Sequence, residues 1–247
     1  MTILDLSLLG FTALATAALT AVLGFGGGVI LIGVLLLFVP PAAAIPIHGL
    51  VQIVSNAWRL LLFRRHIAWP LGLRFAALLP VGIAVGIWLF QGLSAAAVQL
   101  CIGLFVLLSL FARNLGRFRG RDLPLWAFWP LGFVAGVLNI MVGVVAVMLG
   151  VLVVRKELNK EQTIATLAFL SFSGHFTKVI AFVTVGFSFE QYALALAVMI
   201  PAVMLGGNLG KWLLGYVSER YFVRVFQALL VLLALKLVVW EGLLKLL

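Results

Sequence analysis

Apolar residues run along this chain in long blocks, and polar positions fall between the blocks rather than alternating within them. The blocks lie at 3–23, 29–39, 42–63, 70–91 and 94–112, then at 125–138, 142–154, 158–187, 190–216 and 222–245. Such blocks read as helices in a bilayer, and the alternating pattern of a membrane β-barrel is absent. A hydrocarbon core of ~30 Å takes about 20 helical residues. The blocks at 29–39, 125–138 and 142–154 are too short for that. They are expected to be half-helices paired into re-entrant hairpins, 3–23 with 29–39 and 125–138 with 142–154. Segment 3–23 is long enough to cross by itself; the internal repeat assigns it to a hairpin.

That repeat is visible in the residues. VLGFGGGV (Val22–Val29) aligns with VLNIMVGV (Val137–Val144), and GIAVGIWL (Gly82–Leu89) aligns with GGNLGKWL (Gly206–Leu213). Each half then holds one hairpin and three full spans, and an odd number of spans inverts the second half relative to the first. The expected architecture is an all-α polytopic membrane protein of two inverted repeats, each a re-entrant helical hairpin plus three transmembrane helices. It forms a single membrane domain over 1–247: a first repeat at 1–112, a basic cytoplasmic linker at 113–124 and a second repeat at 125–247.

Composition agrees with the class. Of the 247 residues, 65% are hydrophobic and 10% charged, and the mean hydropathy is +1.27; soluble domains are roughly half apolar and a quarter charged. The amino terminus carries Asp5 and no basic n-region, so the first segment is expected to be retained. The net charge of +10 resides in clusters at Arg64–Arg65, Arg113–Arg121, Arg155–Lys156 with Lys160, and Arg220 with Arg224. These clusters punctuate helices and lack interleaved aromatics, which sets nucleic acid aside as a partner. The hairpin topology puts every one of them in the cytoplasm, as the positive-inside rule asks, and leaves both termini outside. A through-going helix at 125–154 would put Arg121 and Arg155 on opposite faces. The lone Cys101 has no partner for a disulfide or a metal, and no cofactor motif occurs.

The candidate chemistry sits at the breaks. Gly24, Gly26, Gly27 and Gly28 lead into one half-helix; Asn139 and Gly143 precede or open the other. Irregular backbone at membrane depth survives only where it is buried or lines a cavity. A helix amino terminus there offers unpaired N–H groups and partial positive charge, an arrangement suited to anions. The alternative is that these glycines only let helices pack closely. All seven acids fall near segment ends or loops, which argues against a carboxylate-built cation site. Lys178, deep in 158–187, is costly at about 2.5–3.5 kcal/mol on insertion scales and calls for a partner such as a transported anion. His175 shares its helix face, and Asn56 with Arg59 repeats the three-residue spacing in the first half. Arg59 also lies close enough to Arg64 to snorkel as an interface anchor. His48 and His175 are candidates for proton coupling.

The stretches GFGGGVILIGVLLLFVP with LLFRRHI, and GFVAGVLNIMVGVVAVMLGV with KVIAFVTVGF, resemble the sulfite exporter TauE/SafE family of bacterial membrane transporters over nearly the whole chain. The resemblance implies secondary transport of small sulfur-containing or organic anions (sulfite, sulfonates, thiosulfate) across the cytoplasmic membrane. It assigns Gly24, Gly26, Gly27 and Gly28 to the family's first glycine motif. The second copy departs from it, with Asn139 and Met141 where the first has Gly24 and Gly26, which leaves side chains more of the task. The expected mechanism is alternating access, one repeat rocking against the other around a midplane site. An anion channel shares the same electrostatics. A membrane-embedded enzyme or assembly factor would need a nucleophile–base pair or metal cluster that the sequence does not display.

Overall fold

The computed structural model describes residues 1–23, 26–114, 123–143, 149–150, 153, 157–213, 228, 231–232 and 234–243. The described elements are helical. They are α1 (Ile3–Leu23), α2 (Gly27–Leu35), α3 (Pro41–Phe63), α4 (Trp69–Gln91), α5 (Ala95–Asn114), α6 (Phe128–Met141), α7 (Lys160–Thr184) and α8 (Ala193–Leu213). Short 3₁₀ turns precede α4, α6 and α8. In the last block a π-helical segment covers Lys236–Leu243, where the apolar run reads as ordinary α-helix. Lys236 there reaches Glu241 at 3.3 Å, five residues on.

Local chemistry explains the boundaries. Pro41 sits in the first turn of α3, where its missing N–H costs nothing. Asn159 and Gln162 form a reciprocal capping box at the start of α7, with bonds of 2.8 and 3.0 Å. The Ala68 N–H, at the start of α4, donates to the buried Thr166 hydroxyl of α7 at 3.0 Å. The first break depends on Gly26, the residue before α2, whose φ of 104° lies in the left-handed region that glycine alone adopts without strain. Gly143, with φ of 77°, does the same just past α6.

Four helices are long and apolar enough to cross a bilayer among the described residues: Ile3–Val22, Trp69–Gln91, Glu161–Thr184 and Glu190–Leu213. At nine residues, α2 extends only about 14 Å, and it folds back against α1. The apolar run Leu125–Met141 is also short of a full span. The second expected half-helix, 142–154, falls largely outside the described residues, as do Gly24 and the basic clusters other than Arg64–Arg65 and the backbones of Arg113 and Lys160.

Contacts give the helix directions. His48 and Gly49 of α3 meet His175 and Lys178 of α7, while Ala68, beyond the end of α3, meets Thr166 near the start of α7. The two helices are antiparallel. Trp69 packs on Phe169, and Phe90 on Phe182, so α4 runs parallel to α7. Two glycine seams join parallel pairs. In one, Gly132 and Gly136 of α6 lie against the backbone carbonyls of Phe75 and Leu79 in α4, and Gly82 lies against Phe133. In the other, Gly206 and Gly210 of α8 lie against Leu14 and Ala18 of α1. Small residues let backbones approach where lipid gives no hydrophobic drive to associate. Outward faces are apolar, with Trp88, Leu194, Leu205 and Trp212 well exposed, as lipid contact requires.

Candidate functional site

The first break opens onto a small polar cavity with room for about one water-sized sphere. Thr20 of α1 and Gly26 and Gly28 of the break form one wall. His48, Gln52, Asn56 and Arg59 of α3 form the second, and Ser171 and His175 of α7 the third. No acidic side chain lines it among the described residues.

Helical spacing produces the α3 wall. His48, Gln52 and Asn56 recur every four residues, and Arg59 follows three later, so all four share one face. The Arg59 guanidinium donates to Asn56 Oδ1. Asn56 Nδ2 in turn donates to the Gln52 carbonyl at 2.7 Å and to Gln52 Oε1 at 3.3 Å. Arg59 is 7% exposed and faces this network; it does not reach outward as an interface anchor. His48 and His175 meet edge to face with ring centroids 5.3 Å apart. Among the described residues, neither nitrogen of His48 nor Nδ1 of His175 meets hydrogen-bond geometry with a partner, although His48 lies against the Gly28 backbone. A neutral imidazole carries one donor and one acceptor, so the cavity holds polar capacity that the described protein atoms leave unused.

The α2 amino terminus faces the same space. Gly26 supplies no side-chain cap, and the absence of a Cβ at Gly28 leaves room for His48 Nε2 and Gln52 Nε2. A Cβ there would lie 3.2 and 3.0 Å from them. Gly28→Ala should therefore fold, because both obstructions are ends of flexible side chains, yet intrude on the cavity. We expect thermal stabilisation by a ligand of this cavity to weaken several-fold with little change in the unliganded midpoint. Gly27 has another role: its Cβ would lie 2.1 Å from the Thr16 carbonyl, so it lets α2 dock on α1.

The remaining sequence candidates form a second group behind the α7 wall. Lys178 is 0% exposed. Its Nζ donates to the Gly143 carbonyl at 2.9 Å and to Asn139 Oδ1 at 3.3 Å. None of Lys178, Asn139 and Gly143 lines the cavity. The structure thus gathers Gly26, Gly28, Asn56, Arg59, His48 and His175, and sets the lysine against the second break. Sequence reasoning missed Thr20 and Gln52 and did not place Ser171 in the site. The four-residue recurrence of Thr12, Thr16 and Thr20, and of His48, Gln52 and Asn56, was the signal available. Other hydroxyls do bond their own helix, as Ser173 to Phe169 and Thr177 to Ser173.

Apolar helices long enough to span a bilayer, packed around a buried polar chamber, define a multi-pass membrane protein. The family follows from the sequence match. The chain belongs to the sulfite exporter TauE/SafE family, whose model matches residues 9–237. It is a membrane transporter and not an enzyme. No curated protein and no solved structure matches the chain.

Proposed function

We propose that this transporter moves small sulfur-containing or organic oxyanions (the sulfite, sulfonate and thiosulfate class) across the bacterial cytoplasmic membrane by alternating access. The observation that carries the reading is Arg59, buried in a cavity with no acidic lining among the described residues and set beside the uncapped amino end of α2. A guanidinium presents planar paired donors that match an oxyanion. The α2 terminus adds backbone N–H groups and dipole. His48, Gln52 and Ser171 supply further polar contacts, and His48 and His175 are the groups placed to carry a coupling proton. Lys178 contributes its charge from behind the cavity wall.

The site belongs to an architecture of two inverted repeats with both termini outside. Helix directions support this reading. Matching the halves pairs α1 with α6, α3 with α7 and α4 with α8. Since α4 and α6 run with α7, and α7 runs against α3, the α3–α7 pair is reversed, as inversion requires.

The test is a panel of small anions, applied first to thermal stability and then to flux in liposomes. A ligand at 100 times its Kd stabilises by about 2.7 kcal/mol. Sulfite or a sulfonate is expected to raise the unfolding midpoint while chloride at equal ionic strength does not. Saturable radiolabelled flux marks a carrier, and large single-channel currents would mark a channel instead. If no oxyanion in the panel shifts the midpoint or moves across, the reading is wrong.

A further inference from the structure

At the first break α1 ends and α2 begins, with the amino terminus of α2 at the cavity. At the second, α6 ends: Val142 donates back to the Leu138 carbonyl at 2.8 Å, and Gly143 turns the chain with φ of 77°. A helix carboxyl end carries unpaired carbonyls and partial negative charge. Two oxygens converge there, the Gly143 carbonyl and Asn139 Oδ1, and both accept from Lys178 Nζ at 2.9 and 3.3 Å. Unwound carbonyls and half-helix carboxyl ends are the groups with which membrane transporters hold a coupling cation.

We propose that the carboxyl end of α6 is a monovalent-cation site whose resident cation is the chain's own Lys178 ammonium, so that no free Na⁺ or K⁺ is needed there. The oxygens are neutral, and a tethered –NH₃⁺ is of similar size and charge to K⁺ and donates along three directions. Asn139 turns its oxygen toward the ammonium, while its Nδ2 is buried without a partner among the described residues. The stem is accommodated too. A Cβ on Gly49 would lie 2.8 Å from Lys178 Cε, so glycine at that point of α3 lets the side chain pass to the break. The site rests on geometry alone; only its bearing on coupling rests on the transport reading, since a carrier with a covalently held cation at this break draws no work from a Na⁺ gradient through it.

The experiment compares thermal unfolding of the full-length purified protein in choline, sodium, potassium and methylammonium chlorides. The wild type is expected to show the same midpoint in all four. Lys178→Ala empties the position and should gain a cation-specific response, its midpoint rising by several degrees in methylammonium, Na⁺ or K⁺ over choline. Lys178→Met, which fills the volume without charge, should stay indifferent. Should the alanine variant fail to accumulate, Lys178→Gln decides. Its neutral amide is expected to lower the midpoint in every salt, and a wild-type midpoint would show that the charge is immaterial and overturn the proposal. A wild-type protein stabilised specifically by Na⁺ or K⁺, or a folded Lys178→Ala protein blind to all cations, overturns it as well. These readouts need no transported anion, so they stand even if the oxyanion panel fails.

Discussion

Arg59→Ala is expected to weaken oxyanion binding by on the order of 100-fold while leaving the protein folded. Among the described residues it is the only permanently charged side chain that lines the cavity. A hydrogen bond to a charged group contributes roughly 1.5–3 kcal/mol, and its loss weakens binding about 10- to 150-fold. The upper part of that range is the expectation, because the site is buried and little solvent screens it. Arg59→Lys should fall between, keeping the charge but losing the planar fork. Stability should respond differently from affinity. The substitution leaves Asn56 Oδ1 without the donor it now has, but it also removes a cation from a low-dielectric interior, and the two effects oppose. Titration of thermal midpoints with sulfite and with a sulfonate measures both quantities in one experiment. An alanine variant stabilised by the anion as strongly as the wild type would remove Arg59 from the site.

The second large effect concerns the frame that holds the cavity. Gly132→Ala would place a Cβ 2.0 Å from the Phe75 carbonyl oxygen, and Gly82→Ala would do the same at Phe133. Neither obstacle can swing aside, because each is backbone inside a helix. Overpacking commonly costs about 1–3 kcal/mol and sometimes more; here the upper end is expected, since two whole helices must separate. The measurable outcome is a sharp fall in the unfolding midpoint and in accumulated folded protein for either variant. Gly92→Ala supplies the comparison. Its Cβ would meet the Leu89 carbonyl at an ordinary 3.6 Å, and its φ of −88° suits any residue. It should be neutral. A Gly132→Ala protein as stable as Gly92→Ala would mean the seam is looser than these distances require.

The breaks were legible because glycine inside an apolar run has few physical reasons to be there. Gly26 and Gly143 prove to be two of the three described glycines with positive φ. Helix boundaries followed from proline and polar punctuation, so the expected start at 42 is one residue from that of α3 and the expected end at 63 coincides with it. The cavity wall was legible only in part. Asn56 and Arg59 were found by spacing, but Gln52 was passed over because a neutral amide carries no charge to draw notice, although it falls on the same four-residue stripe. The partner of Lys178 was out of reach. Its oxygens lie 35 and 39 residues away in sequence, and only tertiary closure brings them together. The π-helical turn at Lys236–Leu243 was hidden for another reason: hydropathy does not distinguish bonds to the fourth residue from bonds to the fifth.

The glycine seams also bear on what moves. They stitch α1 to α8 and α4 to α6, so each seam fastens a helix from one half of the chain to a helix from the other. Pulling the halves apart would rip both. If the proposed alternating access operates, these seams make the expected rigid bodies hybrids, one built around α1 and α8 and the other around α4 and α6. The surface then expected to slide is the antiparallel α3–α7 contact, where imidazoles and a lysine stem meet instead of interlocked backbone. A crosslink between α1 and α8 should leave turnover intact, whereas one between α3 and α7 should arrest it.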